Sequence, residues 1–232
     1  MDHSYIDKNL SRIKEQLESA CRDVGRDAAD VSIVAAVKSA DAAEIDHLHL
    51  QLGICDVGEN RVQQLLEHYE QINREGLRIH FIGTLQTNKV KYIVDKVHMI
   101  QSLDSAKLAV EIDKRCKKIG KIMDVLIEIN SGEEENKSGI SPAEAESFAV
   151  ELKSLENIRL CGFMTMAPRC ESDEKYRQYF RNTRLLCDRI WRETLGRTDE
   201  MIMSMGMSES FVPAVMEGAT VIRPGRSLFC KE

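Results

Sequence analysis

The chain has 232 residues, enough for one domain of barrel size with a substantial core. Hydrophobic residues make up 43% of it and charged residues 30%, as in ordinary globular proteins. Thirty-two basic and 38 acidic residues give a net charge of −6, which argues against electrostatic binding to nucleic acid. No apolar run reaches the ~20 residues of a membrane span, and no apolar leader is visible. We therefore expect a cytoplasmic protein that does not bind membranes.

The seven cysteines are scattered, without a C-x-x-C pair or a cluster with histidine. This distribution is not that of a disulfide framework, and it is not that of a structural zinc site. We therefore expect neither disulfide bonds nor a bound metal ion.

Amphipathic stretches and apolar runs alternate along the chain. A first helix is predicted over residues 3–24, because Ile6, Leu10, Ile13 and Leu17 recur on one face. Eight strands are predicted at 32–37, 54–57, 79–82, 98–101, 122–130, 158–165, 201–204 and 220–223. Further helices are predicted between them at 41–51, 59–74, 88–95, 105–119, 142–154, 173–195 and 208–217.

The order of these elements favours a single (β/α)8 barrel of the TIM type that spans residues 1–232, with an extra N-terminal helix. Continuous apolar runs such as residues 125–127 are typical of parallel strands buried on both faces. Pro142 is predicted at the first position of a helix, and Gly218 just after the end of another. The alternative is an open doubly wound sheet, but no G-x-G-x-x-G follows the first strand.

A phosphate site is predicted near the end of the chain. The seventh strand runs into Ser204, and a helix is expected to begin near Ser208, so that the amides of residues 206–208 point toward an anion. Gly206 would allow the backbone to approach that anion closely. A second glycine turn, at Gly225, follows the last strand. In a barrel these are the loops where phosphate sites recur, although two ordinary turns remain the alternative.

Lys38 ends the first strand at the same mouth of the barrel. Because it follows small or branched apolar residues, we expect it to be partly desolvated, which favours a neutral, nucleophilic amine. The alternative is a lysine that leaves the rim for water. His80 is interpreted as a core or second-layer histidine rather than as a catalytic base.

Five segments, taken in order, carry a resemblance over nearly the whole chain. They are VAAVKS at 34–39, GENRVQ at 58–63, HFIGTLQTNK at 80–89, GFMTMAP at 162–168, and SMGMS at 204–208 with GATVIR at 218–223. Together they resemble the pyridoxal phosphate homeostasis family, also called the proline-synthase co-transcribed family. The resemblance implies a barrel of the alanine-racemase type, which is fold type III of the pyridoxal phosphate proteins.

The resemblance also implies the cofactor and its contacts, and it assigns no catalytic residue. The cofactor is pyridoxal 5′-phosphate, held as a Schiff base. The six implied contacts are Lys38 for the Schiff base, Asn60 for the ring, Ser204, Gly206 and Gly225 for the phosphate, and Arg223 for the pyridine nitrogen. For Asn60, capping of the following helix is the alternative.

The implied function is binding of pyridoxal phosphate in cofactor homeostasis, without efficient turnover. Only nine residues follow Arg223, so we expect no second, β-rich domain to supply an opposed acid or base. Arg223 would keep the pyridine nitrogen unprotonated, which makes the ring a poorer electron sink.

Two alternatives to this function remain open. They are a single-domain pyridoxal phosphate-dependent amino-acid racemase or lyase, and a cofactor-free phosphosugar barrel. Expected partners are the cofactor, apo forms of enzymes that use it, and amino acids. We expect a monomer or a weak dimer.

Overall fold

The computed structural model describes residues 2–132 and 138–231. Within these ranges, nine parallel strands form one sheet. The strands are β1 Ser32–Ile33, β2 Ala35–Ala36, β3 Asp56–Glu59, β4 Arg78–Phe81, β5 Met99–Leu103, β6 Met123–Ile129, β7 Ile158–Thr165, β8 Ile202–Met207 and β9 Val221–Arg223.

The sheet closes through the first predicted strand, residues 32–37, which the structure divides at Val34. β1 pairs with β9 on one side, and β2 pairs with β3 on the other. Backbone bonds confirm this double pairing, since Val34 N donates to the Ile222 carbonyl and Val37 N to the Gly58 carbonyl. Counted together, β1 and β2 are one strand of an eight-stranded barrel. The predicted fold class is therefore confirmed.

Helices surround the sheet. The α-helices among the described residues are α1 Ser4–Asp23, α2 Ala42–Asp46, α3 Val62–Tyr69, α4 Ala106–Ile119, α5 Ala145–Glu151, α6 Asp173–Arg189, α7 Phe211–Met216 and α8 Arg226–Phe229. Among the described residues, no helix has both the length and the apolar character needed to cross a membrane.

The N-terminal helix α1 packs on the end of the chain. Its predicted apolar face, which includes Ile6 and Leu17, is buried. Asn9 Nδ2 donates to the carbonyl oxygens of Leu228 and Cys230 at 3.1 and 3.0 Å. These bonds satisfy carbonyls at the end of the short helix α8 and hold it against α1.

Two helix predictions are corrected. The segment predicted as an α-helix over 88–95 is a 3₁₀ helix, Thr87–Tyr92, in which Lys89 N bonds to the Gln86 carbonyl three residues back. Helix α5 begins at Ala145 rather than at Pro142, because residues 141–144 form a turn closed by Glu144 N on the Ser141 carbonyl. Gly218, with φ +93°, follows α7 as predicted.

Candidate functional site

A pocket of about 370 Å³ opens at the carboxyl ends of the barrel strands. Its volume lies in the range of small-molecule sites. Lys38, Asn60, Arg223 and Gly225 line it, so the fold brings together four of the six predicted contacts. They converge because the carboxyl ends of parallel strands meet at one face of a barrel.

Lys38 lies at the rim of this pocket, in a turn two residues beyond β2. The residue is exposed, so the prediction that it is partly desolvated is wrong. The strand ends at Ala36 and carries the lysine past the apolar segment that was expected to enclose it. Gln64 Nε2 donates to the Lys38 carbonyl at 3.0 Å, which fixes the turn against α3.

Asn60 presents an unsatisfied polar atom beside the pocket. Its Oδ1 is buried and has no hydrogen-bond partner. A buried acceptor left unpaired costs about 1–3 kcal/mol, so this atom indicates a contact to a ligand. The capping alternative is wrong, because Arg61 occupies the N-cap of α3 and no side chain caps it. Asn60 is backed closely by Gly83, where a Cβ would lie 2.1 Å from the Asn60 carbonyl oxygen.

Arg223 brings a buried positive charge to the pocket wall and is only 3% exposed. Its Nη1 donates to Ser204 Oγ at 2.6 Å, and its Nη2 donates to the Thr165 carbonyl at 2.9 Å. Burial lowers the pKa of Arg223 to about 10, with Glu128 opposing the shift. The guanidinium is therefore still charged at neutral pH.

Ser204 and Gly206 lie behind the pocket lining. Ser204 is fully buried, and its hydroxyl donates to Gln101 Oε1 at 2.6 Å. Gly206 has φ +91°, and a Cβ there would lie 2.7 Å from the Ala214 Cβ. Because Gly206 has no side chain, helix α7 packs closely against it. The sequence analysis had assigned this glycine to close approach of an anion.

The chain after β8 also differs from the prediction. The strand continues to Met207 and α7 begins at Phe211, so no helix N-terminus stands at Ser208. Residues 208–210 form a turn, in which Met207 N donates to Ser210 Oγ at 3.2 Å. This bond satisfies the last amide of β8 where the chain leaves the sheet.

Two backbone amides converge on the Ser208 hydroxyl at the pocket. The backbone amides of Gly225 and Ser227 both donate to Ser208 Oγ at 3.1 Å. Ser227 Oγ is buried without a hydrogen-bond partner. Converging amides of this kind suit a phosphate oxygen. The sequence interpretation assigned the backbone amide of Ser208 to the anion but not its hydroxyl, and it did not single out Ser227, which follows the glycine turn.

Comparison with known proteins defines the class. The family model described as "Alanine racemase, N-terminal domain" matches residues 8–232. The chain therefore belongs to the proteins that share this barrel domain. Within them it is a member of the pyridoxal phosphate homeostasis protein family. The pyridoxal phosphate homeostasis protein of Aquifex aeolicus is 41% identical over 222 residues, which cover 96% of each chain.

Solved structures agree with this assignment. A protein from Bifidobacterium adolescentis matches with a TM-score of 0.89 and 30% identity, over 99% of this chain and 97% of that one. PipY of Synechococcus elongatus, solved with PLP bound, matches with a TM-score of 0.81 and 28% identity, over 94% and 99%. The family and fold that the sequence predicts are both confirmed.

Proposed function

We propose that this protein binds pyridoxal 5′-phosphate in the barrel-mouth pocket and serves in homeostasis of that cofactor. The observation that carries the proposal is the pocket itself, where a lysine, an unpaired amide oxygen, a buried cation and two converging amides meet. Family membership supports it, as does the structure of PipY with PLP bound.

Each residue has a role that its chemistry permits. The Lys38 amine condenses with the cofactor's aldehyde, with loss of one water. Asn60 contacts the ring, and Arg223 faces the pyridine nitrogen. Ser208 and the turn that begins at Gly225 hold the phosphate. The other two predicted contacts lie behind the pocket. There, Ser204 orients Arg223, and Gly206 allows α7 to pack closely.

The same arrangement favours holding the cofactor over turning it over. When bound, pyridoxal phosphate supplies an electron sink whose strength depends on a proton at the ring nitrogen. Arg223 does not readily yield its proton, so it leaves that nitrogen unprotonated. Lys38 is exposed at the rim, where water and other amines reach it. This access suits a protein that takes up cofactor and releases it.

We extend the proposal to location and partners. All seven cysteines are free, which supports a reducing compartment such as the cytoplasm. Apo forms of pyridoxal phosphate enzymes are proposed as recipients and amino acids as modulators, for a protein that is a monomer or a weak dimer.

Replacing Lys38 tests the proposal. Purified wild-type protein mixed with pyridoxal phosphate should gain a cofactor absorbance band that borohydride fixes covalently. Lys38→Ala should lose this band and the fixed adduct, because no amine then stands at the pocket rim. Lys89→Ala is the matched control, since Lys89 is also exposed but does not line the pocket, and it should behave as wild type. A full-stoichiometry adduct in Lys38→Ala would refute the assignment.

A further inference from the structure

A continuous chain of hydrogen bonds crosses the barrel interior behind the pocket. Arg223 Nη1 donates to Ser204 Oγ at 2.6 Å, and Ser204 Oγ donates to Gln101 Oε1 at 2.6 Å. Gln101 Nε2 lies 3.1 Å from His80 Nδ1. His80 Nε2 lies 2.9 Å from Asp56 Oδ1. The three middle residues are buried, so their bonding has no substitute in water.

The two ends of this chain lie at opposite ends of the barrel. Arg223 is the last residue of β9 and lines the pocket. Asp56 is the first residue of β3, and it is paired with Arg78, the first residue of β4, whose side chain is 49% exposed. The chain therefore joins the ligand pocket to the amino-end face of the barrel.

The end at Arg223 sets the direction of the bonds. A guanidinium has donors only, so the Ser204 hydroxyl must accept from Arg223 and give its single proton to Gln101. Gln101 Oε1 consequently faces Ser204. The other half of the same amide, Nε2, then faces His80 as a donor.

The end at Asp56 sets the same direction. Burial raises the pKa of Asp56, but hydrogen bonds from His80 and Arg78 lower it to about 2, so an ionised carboxylate accepts there. His80 therefore carries its proton on Nε2 and accepts from Gln101 at Nδ1. A proton on Nδ1 would oppose the Gln101 donor, and a reversed Gln101 would leave Ser204 facing donors on both sides.

We propose that Gln101 and His80 are positioning residues that hold the Arg223 guanidinium in one orientation toward the cofactor ring. The inference rests on the proposed function, because it assigns Arg223 to the bound ring. Gln101 fixes the Ser204 hydroxyl as an acceptor, and His80 fixes Gln101. Without them the hydroxyl is free to rotate, while the guanidinium keeps its hydrogen bond to the Thr165 carbonyl.

The first test uses the protein without cofactor. In the neutral ring of His80, side-chain ¹⁵N NMR of wild-type protein should place the proton on Nε2, because Nε2 faces Asp56 and Nδ1 faces Gln101. A neutral ring with its proton on Nδ1 overturns the inference. This result stands apart from the proposed function, which fails separately if the wild type takes up no pyridoxal phosphate.

The second test interrupts this chain of hydrogen bonds at Gln101 and at His80. Gln101→Leu and His80→Leu should each raise the Kd for pyridoxal phosphate on the order of 10-fold. Each should also shift the absorbance maximum of the bound cofactor in the direction that Arg223→Lys shifts it. His80→Gln should restore both values toward wild type, because a glutamine offers one acceptor and one donor along the same chain.

The matched control is His49→Leu. His49 is a buried histidine that hydrogen-bonds to the Ile54 and Glu75 carbonyls and takes no part in this chain of hydrogen bonds. It should lose stability yet keep the wild-type Kd and absorbance maximum. The inference is overturned if folded Gln101→Leu and His80→Leu proteins keep both wild-type values. It is also overturned if His49→Leu changes them equally.

Discussion

Ser208 and Ser204 stand four residues apart on the same segment, yet their surroundings give them separate roles. Ser208 Oγ accepts hydrogen bonds from two backbone amides at the pocket. Ser204 Oγ is buried and hydrogen-bonds to Arg223 and Gln101. We therefore propose that Ser208 contacts the phosphate and that Ser204 orients Arg223, the cation assigned to the ring.

Ligands with and without phosphate separate these roles. Ser208→Ala should raise the Kd for pyridoxal 5′-phosphate roughly 10- to 150-fold, because one charge-assisted hydrogen bond contributes about 1.5–3 kcal/mol. Pyridoxal, which lacks the phosphate, should bind Ser208→Ala as it binds wild type. Ser204→Ala should weaken both ligands by a similar factor. Equilibrium titration decides the matter, and a Ser208→Ala protein that loses both ligands equally would contradict the phosphate assignment.

Sequence reasoning placed Lys38 and Asn60 near the site because each follows a strand, and the family resemblance supplied Arg223. It assigned Ser204 and Gly206 to the phosphate, whereas neither is among the residues that line the pocket. A strand that runs into a glycine turn does not reveal where it ends. β8 extends three residues beyond the predicted end at Ser204. This extension places Ser208, rather than Ser204, at the pocket wall. Likewise, the sequence does not reveal that Asn60 Oδ1 has no hydrogen-bond partner, because this depends on tertiary packing.

Among the secondary-structure elements, β3 and α3 place the lysine turn through a buried ion pair. His68 Nδ1 lies 2.6 Å from Glu59 Oε1, and both residues are buried. Glu59 immediately precedes Asn60, and His68 lies on α3, whose Gln64 hydrogen-bonds the Lys38 carbonyl. The pair thus connects the segment that carries Asn60 to the helix that fixes the lysine turn.

This ion pair should make stability depend on pH. The hydrogen bond to Glu59 raises the pKa of His68, against the opposing effect of burial. A histidine with a raised folded-state pKa stabilises the fold fully below its unfolded value of about 6.5, and this contribution is lost as pH rises through the folded value. In urea denaturation, the wild-type free energy of unfolding should therefore fall with pH across this window.

His68→Gln is the control for that slope. Glutamine keeps a donor for Glu59 but does not titrate, so the variant should lack the part of the slope that His68 supplies. Wild type and variant are compared at the same pH values, so that other titrating groups cancel. Identical slopes in the two proteins would show that the pair carries no such linkage.

Most element positions were predictable because buried parallel strands read as apolar runs. The first strand shows the limit of that reading. Residues 32–37 form one apolar run, but the barrel must pair them with β9 on one side and with β3 on the other. The way the sheet closes decides which of these residues pair with β9 and which pair with β3. It also decides that Lys38, which lies beyond Ala36, is exposed.

The barrel as a whole joins distant parts of the chain at one mouth. Lys38 comes from its beginning and Ser208 and Arg223 from its end, and α1 holds the C-terminal segment through Asn9. Closure of the sheet is what brings these groups to a single pocket. The central claim is that this pocket receives pyridoxal phosphate.

The most direct measurement is a crystal structure of the purified protein loaded with pyridoxal 5′-phosphate. We predict continuous density from Lys38 Nζ to the cofactor, with its phosphate beside Ser208 and its ring nitrogen facing Arg223. Density joined to another lysine, or a phosphate placed away from Ser208 and Gly225, would contradict this account of the site.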